Sequence, residues 1–134
     1  MKHPSIRSAP FALRVAKSGA GFGLFAAQDI PANRFIIEYW GELVLDEVAD
    51  RVAGRYLFGI GNGKTILGAT RKNIARYINH ACRPNAEARA YGNHIHIYSK
   101  KRIKEGDEIT YNYGKEYFDA YIKPQGCCCR TCVK

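Results

Sequence analysis

The chain has 134 residues, 46% hydrophobic and 25% charged, which is the composition of one ordinary globular domain rather than two. Lys and Arg outnumber Asp and Glu by 21 to 12, a formal charge of +9 that opposes self-association and attracts anionic partners without naming a substrate. No run approaches the roughly 18 apolar residues of a membrane span, and Phe11-Ala12-Leu13 is interrupted by Arg14 and Lys17, so neither membrane insertion nor a signal peptide is expected and the chain reads as soluble and intracellular.

Residues 1–10, with Pro4 and Pro10, read as a loose N-terminal arm, after which Phe11 to Val15 alternates like a short strand. Ser18 to Gly23 bends the chain. Strands are predicted at Gly23 to Ala26 and Arg34 to Trp40, and one short helix over Leu45 to Ala53. Tyr56 to Ile60 and Thr65 to Leu67 flank Gly61-Asn62-Gly63-Lys64, a hairpin signal, and Asn73 to Ile78 suggests a helical turn. The remainder reads as β. Asn93 to Ser99 sets His94, His96 and Tyr98 against Ile95 and Ile97, which places the histidines on the solvent side of a strand. Ile109 to Tyr113 is a further strand, and Tyr117 to Ile122 a last helix stopped by Pro124 and Gly126.

Four of the five cysteines fall in the last eight residues (Cys127, Cys128, Cys129, Cys132) and the fifth is Cys82, a distribution unlike a secreted disulfide framework and better suited to metal ligation. Arg76-Tyr77-Ile78-Asn79-His80-Ala81-Cys82-Arg83-Pro84-Asn85 is the most unusual run, with an amide, an imidazole and a thiol within four positions. Such side chains suit either the grip on a polar small molecule or a capped turn with a satisfied core histidine. Ten of the twelve acidic residues lie in two segments, Glu38 to Asp50 and Glu105 to Asp119. If these segments met they would form an acidic rim suited to a Lys/Arg-rich peptide; otherwise they are solvated turns.

In order along the chain, Gly21-Phe22-Gly23, Tyr39-Trp40-Gly41-Glu42, the Asn79 to Asn85 run and Gly106-Asp107-Glu108-Ile109-Thr110-Tyr111-Asn112-Tyr113 resemble the SET domain of protein-lysine methyltransferases. The resemblance covers about Phe11 to Cys132. It implies a mainly β fold with short helices, a β-clip of small curled sheets with a knot-like C-terminal threading. It also implies three parts: an arm over 1–10, a SET domain over 11–122 and a cysteine-rich post-SET-like tail over 123–134. The implied cofactor is S-adenosylmethionine, leaving as S-adenosylhomocysteine, with contacts from Gly21, Phe22, Gly23, Tyr56, Arg76, Asn79 and His80. Tyr39 and Tyr113 match the walls of a lysine channel. Tyr113 would orient the amine, and Tyr111 stands where the family has phenylalanine or tyrosine and would favour monomethylation.

The cysteine-rich tail resembles one in which three cysteines join the cysteine of the Asn-His run on a structural zinc ion, here Cys82, Cys127, Cys129 and Cys132, with Cys128 spare. The implied partner is a lysine-containing protein or peptide, a histone or another basic protein, met in the cytoplasm of a prokaryote or the nucleus of a eukaryote. This sequence departs from the family pattern at Gly68, where aspartate is frequent, at Ala81, where serine is usual, and by one residue before Ile74. Two rival readings use the same residues. One is a small basic zinc module that binds nucleic acid non-specifically through Lys100-Lys101-Arg102 and Lys104; the other is a SET-fold interaction domain without turnover.

Overall fold

Strands this short bury too little apolar surface singly, and the chain meets that limit by stacking three small sheets on one shared core. The computed structural model describes residues 9–19, 21–49, 51, 57–61 and 63–114. The first sheet contains β1 (Leu13–Ser18), β2 (Gly21–Ala26), β7 (Asn79–His80) and β10 (Glu108–Tyr111), in the order β1-β2-β10-β7. The second contains β3 (Phe35–Tyr39), β8 (Ala86–Tyr91) and β9 (His94–Ser99), with β9 central. The third contains β4 (Glu42–Leu45), β5 (Leu57–Gly61) and β6 (Lys64–Leu67), with β6 central. Among the described residues helix is confined to α1 (Asp46–Ala49) and a 3₁₀ turn over Ile74–Tyr77.

Among the described residues the eight largest fully buried apolar side chains are Leu24 and seven isoleucines: Ile30, Ile36, Ile78, Ile95, Ile97, Ile103 and Ile109. β-branched side chains are stiff and favour the extended backbone, so one residue choice supplies both core volume and strand preference. Strict alternation in β9 buries Ile95, Ile97 and Ser99 on one side. Ser99 is polar yet fully buried, because its hydroxyl donates to the Pro31 carbonyl at 2.6 Å and accepts from the Arg34 N–H at 3.0 Å. β8 and β9 are joined by Gly92-Asn93, and Gly92 takes φ +59°, a value that glycine adopts without strain at the first position of such a turn.

The mainly β expectation holds, and the hairpin around Gly63 and the turn at Ile74–Tyr77 lie where the sequence pattern puts them. One boundary is corrected. Leu45, expected to open the short helix, instead closes β4, which pairs with β6 from Glu42↔Leu67 to Leu45↔Lys64, so the helix begins one residue later at Asp46–Ala49; residues 50, 52 and 53 lie outside the described residues. His94 and His96 lie on the side of β9 away from the buried face, as expected, with 43% and 17% of their side chains exposed. Glu38 on neighbouring β3, 3% exposed, places Oε2 2.9 Å from His94 Nδ1 and Oε1 3.8 Å from His96 Nε2. A buried carboxylate requires such polar neighbours, and the strand beside it supplies them. The arm before residue 9, the helix at Tyr117, the tail and its threading lie outside the described residues.

The edge of the first sheet is completed by a side chain. Asn85 donates through Nδ2 to the Glu108 carbonyl at 2.8 Å and accepts at Oδ1 from the Thr110 N–H at 2.9 Å, so its amide imitates one rung of a strand against β10. Asn85→Ala is expected to leave both backbone groups without that partner and to lower stability by about 2–3 kcal/mol, as read from the midpoint of a urea unfolding curve.

Candidate functional site

Strand β10 is the element on which the candidate residues converge. It pairs antiparallel with β2 through Glu108↔Phe25 and Ile109↔Leu24, and parallel with β7 through Thr110↔Asn79 and Tyr111↔His80. Segments more than 80 residues apart in the chain, Gly21–Ala26 and Glu108–Tyr111, therefore lie side by side with the Asn-His pair on the far edge. Parallel pairing sets residues near the chain exit of both strands at one end, which brings His80 beside the turn that carries Tyr113.

The amide of Asn79 is the hub of one polar cluster. Its Nδ2 lies 2.9 Å from the Phe22 carbonyl, 2.7 Å from Glu108 Oε2 and 3.3 Å from the Ser18 hydroxyl. Ser18 in turn donates to the Glu108 carboxylate, 3.1 Å from each oxygen. Gly23 is the floor beneath that carboxylate: a Cβ there would overlap Glu108 Oε2 and stand 3.0 Å from its carboxyl carbon. The second glycine of Gly21-Phe22-Gly23 is thus needed for close approach, whereas Gly21, with φ +104°, is needed for the bend. The Phe22 side chain is 57% exposed and meets Tyr77 edge-on at 6.1 Å. The Arg76 guanidinium lies over the other member of that pair, 4.9 Å from the Tyr77 ring centre, and donates to the Ala69 carbonyl.

His80 links this cluster to the aromatic one. It is almost fully buried, and that burial holds its imidazole pKa below the usual value of 6.5. Nδ1 accepts from the Tyr113 backbone N–H at 3.1 Å, and since an amide is only a donor, the neutral ring carries its proton on Nε2, 3.6 Å from Cys82 Sγ. The Tyr113 hydroxyl donates to the Ile78 carbonyl. Tyr113 is therefore gripped at both ends, by its N–H and by its phenol, against the segment that runs from Ile78 to His80.

From Tyr113 an unbroken series of rings leads to β3: Tyr113 to Tyr111 at 5.0 Å, Tyr111 to Phe58 at 6.1 Å, and Phe58 to Tyr39 at 5.2 Å. Tyr39 is 4% exposed and Tyr111 7%. A cleft of about 330 Å³ is lined by Phe58, Tyr111 and Tyr113 of this series together with Pro84, Glu87 and Lys100, and Tyr39 lies behind Phe58 outside its lining. A space walled by aromatic faces admits a slender aliphatic chain and disfavours a hydrated charge.

Of the residues singled out in the sequence, Gly21, Phe22, Gly23, Arg76, Asn79, His80, Tyr39, Tyr111 and Tyr113 occupy these two adjoining clusters. Tyr56, Cys127, Cys129 and Cys132 lie outside the described residues. Cys82 is half-buried with its Sγ 3.6 Å from His80 Nε2, and among the described residues no three His, Cys, Asp or Glu side chains gather as a metal site. Three participants went unread in the sequence: Glu108, Ser18 and Phe58. Glu108 was legible only as one more acidic residue, although the alternation of β10 puts it on the side opposite buried Ile109. Of the acidic residues, Glu38 lies against the histidines and Glu108 against Asn79 and Ser18, whereas Asp46 and Asp107 are exposed and accept from the Thr65 hydroxyl at 2.6 Å and the Lys104 N–H at 3.2 Å.

Comparison with known proteins agrees with this arrangement. A family model described as the SET domain matches residues 21–114. Histone-lysine N-methyltransferase trithorax of Drosophila melanogaster is 35% identical over 126 residues, covering 85% of this chain and 3% of that protein. Histone-lysine N-methyltransferase set1 of Dictyostelium discoideum is 42% identical over 123 residues, covering 82% of this chain and 8% of that protein. Among solved structures, Arabidopsis thaliana SUVH6 in complex with SAM superposes with a TM-score of 0.74 at 29% identity, covering 83% of this chain and 28% of that one. The chain thus spans only a small part of the length of these relatives.

Proposed function

This chain belongs to the SET-domain family, and from that premise we propose that it transfers a methyl group from S-adenosylmethionine to the side-chain amine of a lysine in a protein substrate, a histone or another basic protein. The observation that carries the reading is the parallel pairing of β7 with β10, which joins Asn79 and His80 to Tyr111 and Tyr113. One cluster offers amide, carbonyl and glycine backbone to a polar cofactor; the adjoining one offers an aromatic path to an amine. Residues 11–122 form the SET domain in this reading, with 1–10 as an arm.

S-adenosylmethionine, when bound, supplies an electrophilic methyl group on a positively charged sulfur. The amine lone pair forms the new N–C bond as the C–S electron pair returns to sulfur, and S-adenosylhomocysteine and a proton are released. That lone pair must first be free. A lysine with pKa near 10.4 is protonated at neutral pH, and baring it at pH 7 costs about 4.6 kcal/mol, from roughly 3.4 pH units at about 1.36 kcal/mol each. Walls made of Phe58, Tyr111 and Tyr113, backed by Tyr39, reduce that cost by disfavouring the ammonium form, and no strong base is required. Tyr113 is suited to orientation: a phenol is a poor base at neutral pH, but a tyrosine held at its backbone N–H and at its hydroxyl keeps a fixed direction. Asn79, His80, Gly21, Phe22, Gly23 and Arg76, with Tyr56, form the cofactor side.

Two finer points belong to the same reading. Tyr111 restricts the product, because its hydroxyl anchors a water beside the amine and a methylated amine must displace it. Cys82 with Cys127, Cys129 and Cys132 holds one structural zinc ion, for which thiolates are suitable donors, and His80 N–H beside Cys82 would stabilise the thiolate form. Nuclear location in a eukaryote, or cytoplasmic location in a prokaryote, follows from such a substrate.

Transfer of a labelled methyl group into lysine of histone or basic peptides tests the whole reading, and no incorporation into any lysine would overturn it. Tyr113→Phe should retain cofactor binding by calorimetry while transfer falls at least about 100-fold. Tyr111→Phe should shift products from monomethyl-lysine toward di- and trimethyl-lysine in mass spectra taken over time. Elemental analysis should find one zinc per chain, lost on replacing Cys82, Cys127, Cys129 or Cys132 and retained in Cys128→Ser.

A further inference from the structure

Tyr39 ends β3 with its ring buried, and the tip of that ring lies over Gly68. A Cβ at Gly68 would overlap Cζ and the phenol oxygen and stand 2.5 Å from Cε1, whereas carbon atoms in contact sit about 3.5–4.0 Å apart. Neither Gly68 nor Gly41 takes a positive φ, so backbone freedom is not what either position requires; space is. At Gly41 a Cβ would overlap the Leu67 carbonyl and lie 3.1 Å from Gly68 Cα. The segments Tyr39-Trp40-Gly41 and Leu67-Gly68 therefore press together with no side chain between them.

Asn73 holds them in that contact. It is fully buried, accepts from the Trp40 N–H at Oδ1 over 3.2 Å and donates from Nδ2 to the Gly68 carbonyl over 3.0 Å. One amide thus fixes both sides of the glycine pair, and the Tyr39 ring settles into the space that Gly68 leaves. Phe58 packs against Tyr39 and Tyr111 against Phe58, so any movement of the phenol is passed along the aromatic wall.

We propose that Gly68 is a positioning residue: held by Asn73, it keeps the Tyr39 phenol withdrawn from the cleft and so sets how wide an amine the aromatic wall admits. The inference rests on Tyr39 being part of the lysine path. A single methyl group at position 68 turns Tyr39 toward Phe58, and the narrowing bears more heavily on methylated lysine than on unmodified lysine.

The test compares the full chain with its Gly68→Ala variant. With 3-fluorotyrosine incorporated, the ¹⁹F line that disappears in Tyr39→Phe identifies Tyr39; Gly68→Ala should shift that line and the Tyr111 line and leave those of Tyr91 and Tyr98 in place. In the same variant KM for an unmodified lysine peptide should rise about tenfold and for the monomethylated peptide about a hundredfold, with the S-adenosylmethionine Kd unchanged within twofold. A stationary Tyr39 line, or a cofactor Kd that worsens as much as KM, overturns the proposal. If Gly68→Ala fails to fold, adding Tyr39→Leu should restore folding, and failure to do so also overturns it. A wild-type chain that methylates no lysine would defeat the functional reading while the ¹⁹F shift still decides the geometry.

Discussion

The placement of β10 between β2 and β7 is the constraint on which the remainder depends. β2 and β10 are antiparallel and β7 and β10 parallel, so β10 alone brings an N-terminal hairpin, the Asn-His segment and a C-terminal aromatic turn into one neighbourhood. β7 has only two residues and cannot hold its place by strand pairing alone. Its position is secured by side chains that act as backbone: Asn85 against Glu108 and Thr110, Asn79 against Phe22, and the Tyr113 phenol against Ile78. Ile78 and Ile109, both fully buried, anchor the two strands to the core from beneath. Fold and site therefore share their bonds, and weakening the strand junction loosens both clusters.

Three asparagines perform this joining because a primary amide donates and accepts within one rigid plane, and can close two backbone groups that face in opposite senses. Asn73 closes Trp40 to Gly68, Asn85 closes two groups of β10, and Asn79 ties the glycine-containing bend to Glu108. Aspartate would lose every donor in this list and bury a charge as well. The chain accordingly spends neutral amides where segments cross and keeps its carboxylates where hydroxyl or imidazole groups balance them, as at Glu108 with Ser18 and Glu38 with His94. A net charge of +9 is thus compatible with a site whose own buried polar groups are mostly neutral.

Neutrality is also what the proposed chemistry favours. An aromatic path that penalises the ammonium form and a histidine whose burial disfavours its charged form both suit a positively charged methyl donor. Tyr113 needs no unusual acidity in that setting; it needs direction, and two hydrogen bonds from opposite ends of the residue provide it.

The amino-acid sequence by itself determined the elements whose signals are local. Alternating isoleucine marked β9, the glycine-rich turn marked the β5–β6 hairpin, and motif order from Gly21 to Tyr113 marked the family and nearly all candidate residues. It left undecided whatever depends on which strand lies next to which. β4 was hidden because its pairing with β6, not its own pattern, makes it extended. The partner of the histidines stayed hidden because the carboxylate that meets them comes from Glu38, 56 residues from His94. Glu108 looked like one more surface charge until Asn79 and Ser18 came to stand against it. Gly68 read as a departure from a family pattern, and only the tertiary structure put the Tyr39 ring above it. Local propensity is set by a residue and its near neighbours in the chain, whereas partners of buried charge and vacant space are set by segments that meet only after folding.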